Sequence, residues 1–418
     1  MERLVIQGGA RLKGALRVQG AKNSVLPLLA ASVLLEEGCV LHNCPRLSDV
    51  DAAVEILEYL GCRVTREGHS IRVDPGGLTR NHISREKMQT MRSTILFLGP
   101  LLARTGSCSV YEPGGCRLGA RPVDLHLMGL EALGAEITRE EDRLCCRGRL
   151  RGGRVVLPFP SVGATENLIL AALGAAGTTT IYNAAREPEI GDLIAFCRAA
   201  GARIYGAGTS MLEIEGSALR AAEHRVVPDR MEAATFLTAA AGTGGELLLT
   251  DARPEHLTAV LQVLEAAGCR VERGDGEIFL AAPRRLRAVP PIHTAPYPGF
   301  PTDAQAPMMA ALLRADGVTV FDETVFSDRY RHVPGLRRLG AEIGTAGALA
   351  AVTGVTRLRG ADMEATDLRG GAAMAVAALQ AEGESRIAGV HHMMRGYENF
   401  AQRLRSLGCA VTLEADGA

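Results

Sequence analysis

The stretch GGCRLGARPVD, Gly114 to Asp124, sets one cysteine among glycines, with Arg117 beside it and Arg121 five residues on. Neighbouring guanidinium groups lower a thiol's pKa and favour the thiolate, the nucleophilic and proton-exchanging form. Glycines let such a loop move. Cys116 is therefore expected to be reactive, against the plainer reading of a loop thiol with no role. The chain has ten cysteines, and the other nine read differently. Cys62, Cys269 and Cys409 take places where sister segments carry Ala135, Ala202 and Ala341, so they read as small core residues. Cys197 belongs to a helix of the same kind. Cys39, Cys108, Cys145 and Cys146 lie in strand-like runs, and Cys44 lies in a loop. No CxxC pair occurs, so neither a disulfide framework nor a zinc ribbon is indicated. Free thiols in a reducing cytoplasm are the simplest expectation. His391-His392 has no further ligand at a suitable spacing and reads as a polar loop. GGARLKG lacks the GK[ST] of a phosphate-binding P-loop. No metal and no cofactor are expected.

A second group of chemistry-bearing residues is periodic. Lys22, Arg92, Gly163, Arg230, Asp303 and Arg369 each stand 14 or 16 residues before one of the glycines Gly38, Gly106, Gly177, Gly244, Gly317 and Gly383. The apolar stretches between them read as helices, so these residues open helices. A helix N-terminus is already electropositive. Four cations placed there cost stability unless an anion offsets them, and phosphate or carboxylate ligands fit that need. The plainer alternative is arginines paired with nearby acids. Polar loops carrying arginine recur as well: NAAREPEI, TDARPEH, FSDRYRHV and HHMMRGYEN.

The elements that must hold these residues form a sixfold repeat. LEYLGCRV, LEALGAEI, CRAAGARI, LEAAGCRV, LRRLGAEI and LRSLGCAV place glycines at 61, 134, 201, 268, 340 and 408, spaced 67 to 73 residues apart. Near-equal periods of this kind indicate a repeat architecture. Each unit reads as an amphipathic helix ending at glycine, a short strand, then a helix apolar nearly all round, a glycine and another strand. The first helix is expected to cover the outside and the second to be buried on all sides. The last unit is cut short after Val411, and the N-terminal VIQGGARLKGALRVQG resembles AVTGVTRLRGADMEATDLRG. The first strands are thus expected to complete the sixth unit. The resulting fold class is α/β, with two domains of three repeats each. The first is residues 1–20 and 229–418; the second is 21–228 and carries the cysteine loop.

Composition excludes several classes. The formal net charge is −1 over 418 residues, so no global field draws nucleic acid or an acidic membrane. No long uncharged apolar run appears, so no membrane span is expected. MERLVIQGGARLKG lacks a signal-peptide layout.

Over essentially its whole length the chain resembles the UDP-N-acetylglucosamine 1-carboxyvinyltransferase family. The motifs are GAKNSVLPLL, MRSTILFLGPLLAR, GGCRLGARPVDLH, SVGATEN, NAAREPEI, YPGFPTD, ATDLRG and RGYE, in order. The resemblance implies two inside-out α/β barrels of three βαβαββ units each. It implies transfer of the enolpyruvyl group of phosphoenolpyruvate to the 3′-hydroxyl of UDP-N-acetylglucosamine, an early step of peptidoglycan synthesis, by a monomer. Cys116 would be the general acid toward C3 and the residue alkylated by fosfomycin. Lys22, Asn23, Arg121, Arg369 and Arg395 would hold phosphoenolpyruvate. Asp303 would assist deprotonation of the sugar hydroxyl, and Asp367 would be a second proton-transfer carboxylate. Arg92, Arg121, Pro122, Val123, Asp124, Leu125, Ser161, Val162, Gly163, Asp303, Val325 and Arg329 would contact the sugar nucleotide. Met394, Arg403, Phe159-Pro160 and Ser327-Asp328 depart from the family pattern. Two alternatives stay open: an enolpyruvyl transferase with another acceptor, and a sugar-nucleotide-binding regulatory paralogue.

Overall fold

The structure, a computed structural model, describes residues 2–112 and 123–415. Cys116, Arg121 and Pro122 lie outside the described residues. The chain divides into two compact units: residues 2–19 with 228–415, and residues 20–112 with 123–227.

The repeat is visible in the backbone. All six glycines of the LG(A/C) motif adopt positive φ, from +88° at Gly408 to +105° at Gly61. Each follows an outer helix, such as Ser48–Leu60 or Pro188–Ala199. All six of the second glycines also have positive φ. Their role divides, which differs from the expectation of a uniform helix stop. Gly106 and Gly244 cap their helices. In the other four units the helix ends earlier and the glycine turns the chain into the next strand. The helix Leu368–Gln380, for example, stops three residues before Gly383.

Each unit's core is built on three inner helices. In the 20–227 unit these are Lys22–Ala31, Leu98–Thr105 (preceded by the 3-10 turn Arg92–Phe97) and Val162–Leu173. In the other they are Arg230–Thr243, Thr302–Ala311 and Leu368–Gln380, packed on one another. Alanine dominates the latter three, which lets their backbones approach closely. In Leu368–Gln380 every residue after Leu368 is buried. The outer helices are one-sided: Ser48–Leu60 buries Val50, Ala53, Ile56, Leu57 and Leu60 on one stripe.

Six sheets enclose these helices, five of four strands and one of three among the described residues. Five carry one parallel edge strand, and in three of these it is joined to its neighbour through an inner helix, for example Arg154–Val156 beside Thr178–Tyr182. The N-terminal strands separate. Glu2–Gln7 pairs antiparallel with Glu384–Ala388 and Ala410–Ala415, completing the sixth unit's sheet. Lys13–Arg17 instead pairs parallel with Glu246–Thr250 of the fourth unit. That corrects the expectation that both complete the sixth. The reason is that the chain changes units just after Lys13–Arg17 and again just after Ala222–Arg225: each strand stays in its own unit and pairs there with the strand that follows that unit's first inner helix, Lys13–Arg17 with Glu246–Thr250 and Ala222–Arg225 with Cys39–His42. The chain passes between units at 19–20 and 227–228. Ala21 N–H donates to the Val227 carbonyl at 2.8 Å, and Asp229 N–H to the Gln19 carbonyl at 2.8 Å.

Candidate active site

In the 20–227 unit, Lys22 is the first residue of its inner helix, whose first turn holds no acidic residue. Its ammonium lies 3.1 Å from Asp49 Oδ2, and both side chains are largely buried. The plainer reading thus holds for Lys22: an acid from the outer helix Ser48–Leu60 offsets its charge. Asn23 is exposed. The next residue, Ser24, hydrogen-bonds Asp192, and Asp192 also holds His224 Nε2 at 2.7 Å and Val227 N–H at 3.3 Å. That buried carboxylate anchors the turn presenting Lys22 and Asn23.

Arg92 opens its 3-10 turn half-buried, and among the described residues it has no carboxylate partner. Burial holds its pKa below the ordinary value. Beneath it His126 is neutral, lowered to about 4 by burial first and by the Arg92 charge second. Asn167 Nδ2 sits 2.9 Å from His126 Nδ1 and donates to the Ile95 carbonyl at 3.0 Å, which orients the ring. Gly163 packs over it; a β-carbon there would lie 3.4 Å from His126 Cε1. Ser161 caps the helix Val162–Leu173, accepting from Ala164 N–H at 3.4 Å, and no acid stands in its first turn. Arg92, Ser161, Val162 and Gly163 therefore share one surface, where an uncompensated cation meets the positive end of a helix. Asp124 starts the outer helix Asp124–Ala132; Asp124 is exposed, Leu125 half-buried and Val123 buried.

In the other unit Asp303, second residue of Thr302–Ala311, accepts from two guanidinium groups. Arg329 Nη2 donates to its Oδ1 at 2.8 Å, and Arg369 Nε to its Oδ2 at 3.1 Å. Both arginines are buried. Burial pulls the Arg369 pKa down, but Tyr397, Asp303 and Asp229 together raise it above the ordinary value. Arg369 Nη1 donates to the Tyr397 hydroxyl at 3.0 Å, and that hydroxyl meets Thr235 Oγ1 at 2.8 Å. The cation at this helix start is thus also offset by an acid of its own chain. Asp367 caps Leu368–Gln380: its Oδ1 accepts from Arg369 N–H at 3.0 Å and Gly370 N–H at 2.9 Å. Arg395 follows the short helix His391–Met394. That segment is a helix rather than the expected polar loop, and no metal-holding cluster occurs among the described residues. Val325 is half-buried and donates to Glu323 Oε1 at 3.0 Å.

The sequence reading missed Asp49, Asp192, His126, Asn167, Tyr397 and Thr235. Tyr397, His126 and Asn167 were within reach, since they lie inside the motifs RGYE, GGCRLGARPVDLH and SVGATEN. Asp49, Asp192 and Thr235 sit on distant elements, and only the fold brings them to the site residues.

The chain matches the family described as EPSP synthase (3-phosphoshikimate 1-carboxyvinyltransferase) over residues 6–404. It is 46% identical, over 98% of its length and 99% of the relative, to UDP-N-acetylglucosamine 1-carboxyvinyltransferase 2 of Caldanaerobacter subterraneus subsp. tengcongensis. It is 46% identical, over 98% of its length and 90% of the relative, to UDP-N-acetylglucosamine 1-carboxyvinyltransferase of Gloeobacter violaceus. Its fold resembles that of the enolpyruvyl transferase NikO from Streptomyces tendae, with a TM-score of 0.89, 24% identity and 99% and 98% of the two chains covered. EPSP synthase from Acinetobacter baumannii superposes with a TM-score of 0.76 at 19% identity, over 99% of this chain and 100% of that one. By these matches the chain belongs to the carboxyvinyltransferase (EPSP synthase) family, among the UDP-N-acetylglucosamine 1-carboxyvinyltransferases.

Proposed function

We infer that this chain transfers the enolpyruvyl group of phosphoenolpyruvate to the 3′-hydroxyl of UDP-N-acetylglucosamine and releases phosphate. The observation that carries the reading is 46% identity, over 98% of the chain, to relatives named for that activity. The site chemistry agrees with it. Phosphoenolpyruvate brings a phosphate and a carboxylate, and Lys22, Asn23, Arg121, Arg369 and Arg395 are assigned to them. Arg92, Arg121 to Leu125, Ser161 to Gly163, Asp303, Val325 and Arg329 are assigned to the sugar nucleotide. Arg92, without a carboxylate partner among the described residues and beside a helix end at Gly163 with no acid in its first turn, supports an anionic ligand there.

The reaction is an addition followed by an elimination. The sugar oxygen bonds to C2 of phosphoenolpyruvate, its proton leaving toward Asp303, while the Cys116 thiol gives a proton to C3. Loss of that C3 proton and of phosphate from C2 restores the double bond and yields the enol ether. Asp367 is proposed as a second proton-transfer group. Fixed cations stabilise the charge that builds on the phosphate and carboxylate. Among the described residues nine cysteines are free, which supports a cytoplasmic enzyme supplying peptidoglycan synthesis. No helix among the described residues is long and apolar enough to cross a membrane.

The test is phosphate release from phosphoenolpyruvate with and without UDP-N-acetylglucosamine, beside Cys116→Ala. Release that requires the nucleotide and is lost in the variant supports both the reaction and the acid role. Release surviving in the variant keeps the transferase and removes Cys116 as the acid. Alkylation by fosfomycin is expected at Cys116 alone, read by mass after proteolysis.

A further inference from the structure

Gln19 stands immediately before the chain leaves its unit, buried at 7% exposure. Its backbone N–H donates to Glu232 Oε2 at 2.7 Å. Its side-chain Nε2 donates to the Gly396 carbonyl at 2.9 Å, and its Oε1 accepts from Glu398 N–H at 3.0 Å. One amide thus bonds a carbonyl and the N–H two residues on, as a neighbouring β-strand would. The residues it brackets matter. Tyr397 lies between the two bonds and holds Arg369, which holds Asp303. Arg395 lies immediately before them.

Gln19 is itself held from behind. Glu232, on the inner helix Arg230–Thr243, is 1% exposed. Its Oε1 stands 3.3 Å from Arg403 Nη1, without hydrogen-bond geometry. Arg403 lies over the Phe236 ring, 5.1 Å from its centroid, and donates to the Arg17 carbonyl at 2.6 Å. Glu232 and Arg403 therefore bracket residues 17 to 19 on both sides.

We propose that Gln19 is a positioning residue for enolpyruvyl transfer: its side-chain amide sets the turn that presents Arg395 and Tyr397, and Glu232 with Arg403 holds Gln19 in register. The proposal rests on the assignment of Arg369 and Arg395 to phosphoenolpyruvate. A guanidinium that grips an oxyanion by two parallel hydrogen bonds tolerates little misplacement. Both bonds run to the backbone, so losing them moves the turn as a whole.

Gln19→Leu keeps the side chain's bulk and removes both bonds. It is expected to raise the KM for phosphoenolpyruvate about tenfold, the scale of a lost buried hydrogen bond. The KM for UDP-N-acetylglucosamine should change less than about twofold and kcat less than about threefold on the same scale. Glu232→Leu should give the same selective rise. The double variant should show little more than either single one, because the two act in series. Gln19→Glu, which keeps the acceptor for Glu398 N–H and loses the donor to Gly396, provides a second reading if Gln19→Leu does not fold. A KM for phosphoenolpyruvate unchanged in Gln19→Leu or Gln19→Glu overturns the proposal while wild-type turnover keeps the transferase. Equal rises for both substrates with a lowered Tm mark a merely structural residue and overturn it as well. Wild-type protein that releases no phosphate overturns both readings.

Discussion

The cations at the inner-helix starts differ in what neutralises them, and each should fail differently when removed. Arg369 is buried among Asp303 and Tyr397. Arg369→Ala leaves Asp303 one partner short but still held by Arg329, and leaves the buried Tyr397 hydroxyl without its guanidinium donor, a cost of about 1–3 kcal/mol. It should therefore lower both activity and the denaturant midpoint. Arg92 has no carboxylate partner among the described residues. Arg92→Ala should weaken UDP-N-acetylglucosamine, seen in its KM, and leave the denaturant midpoint nearly unchanged. Equal destabilisation by the two variants would refute that distinction. Asp303→Asn keeps an acceptor for the two guanidiniums and removes the charge. Its kcat should fall about 10²- to 10⁴-fold, the range for a lost acid–base group.

At the level of elements, the helix Leu368–Gln380 separates two roles that one carboxylate combines. Asp367 Oδ1 takes both capping hydrogen bonds. Asparagine caps nearly as well as aspartate, whereas alanine loses the cap at a cost of about 0.5–2 kcal/mol. Asp367→Asn should thus retain the wild-type Tm and lose turnover if the residue moves a proton. Asp367→Ala should lose both. Turnover retained in Asp367→Asn would leave Asp367 as a cap only. The repeat glycines grade in the same way. Gly201 has φ +101° and open space around a β-carbon, so Gly201→Ala meets only backbone strain, roughly 1–2 kcal/mol. Gly61 has φ +105°, and a β-carbon there would lie 2.3 Å from the Gly77 carbonyl oxygen. Gly61→Ala should therefore destabilise more, as urea melts of the two would show.

For the whole molecule, the pH dependence of stability carries a mark of Glu232. Burial pushes its pKa from 4.5 up to about 8; Asp229 and Glu398 add to the rise, while Arg403 and the Gln19 N–H oppose it. Between those values the folded chain binds a proton that the unfolded chain has released, so stability falls as pH rises. The contribution is fully present below about pH 4.5 and lost through about pH 8. Glu232→Gln should flatten that decline, so that the variant gains in Tm on the wild type as pH rises toward 8. Parallel Tm profiles would show that Glu232 does not titrate there.

Much of this organisation was legible in one dimension because it repeats. A glycine that must adopt positive φ leaves the same mark six times, and a helix buried on every side reads as unbroken apolar sequence. The N-terminal residues of the inner helices followed from counting. The loop cysteine and the arginines announced anion chemistry by type and spacing. What the residues alone left open was which charge is already answered. Asp49 lies 27 positions from Lys22 and Asp303 lies 66 from Arg369, separations with no periodic signature. The strand Lys13–Arg17 pairs with Glu246–Thr250 of the fourth unit, more than two hundred residues away, because the chain changes units before the helix Lys22–Ala31 that follows it. Local pattern reports conformation and burial, which neighbours in sequence impose. Partnership of charges is decided by packing between distant segments, and only the tertiary structure decides it.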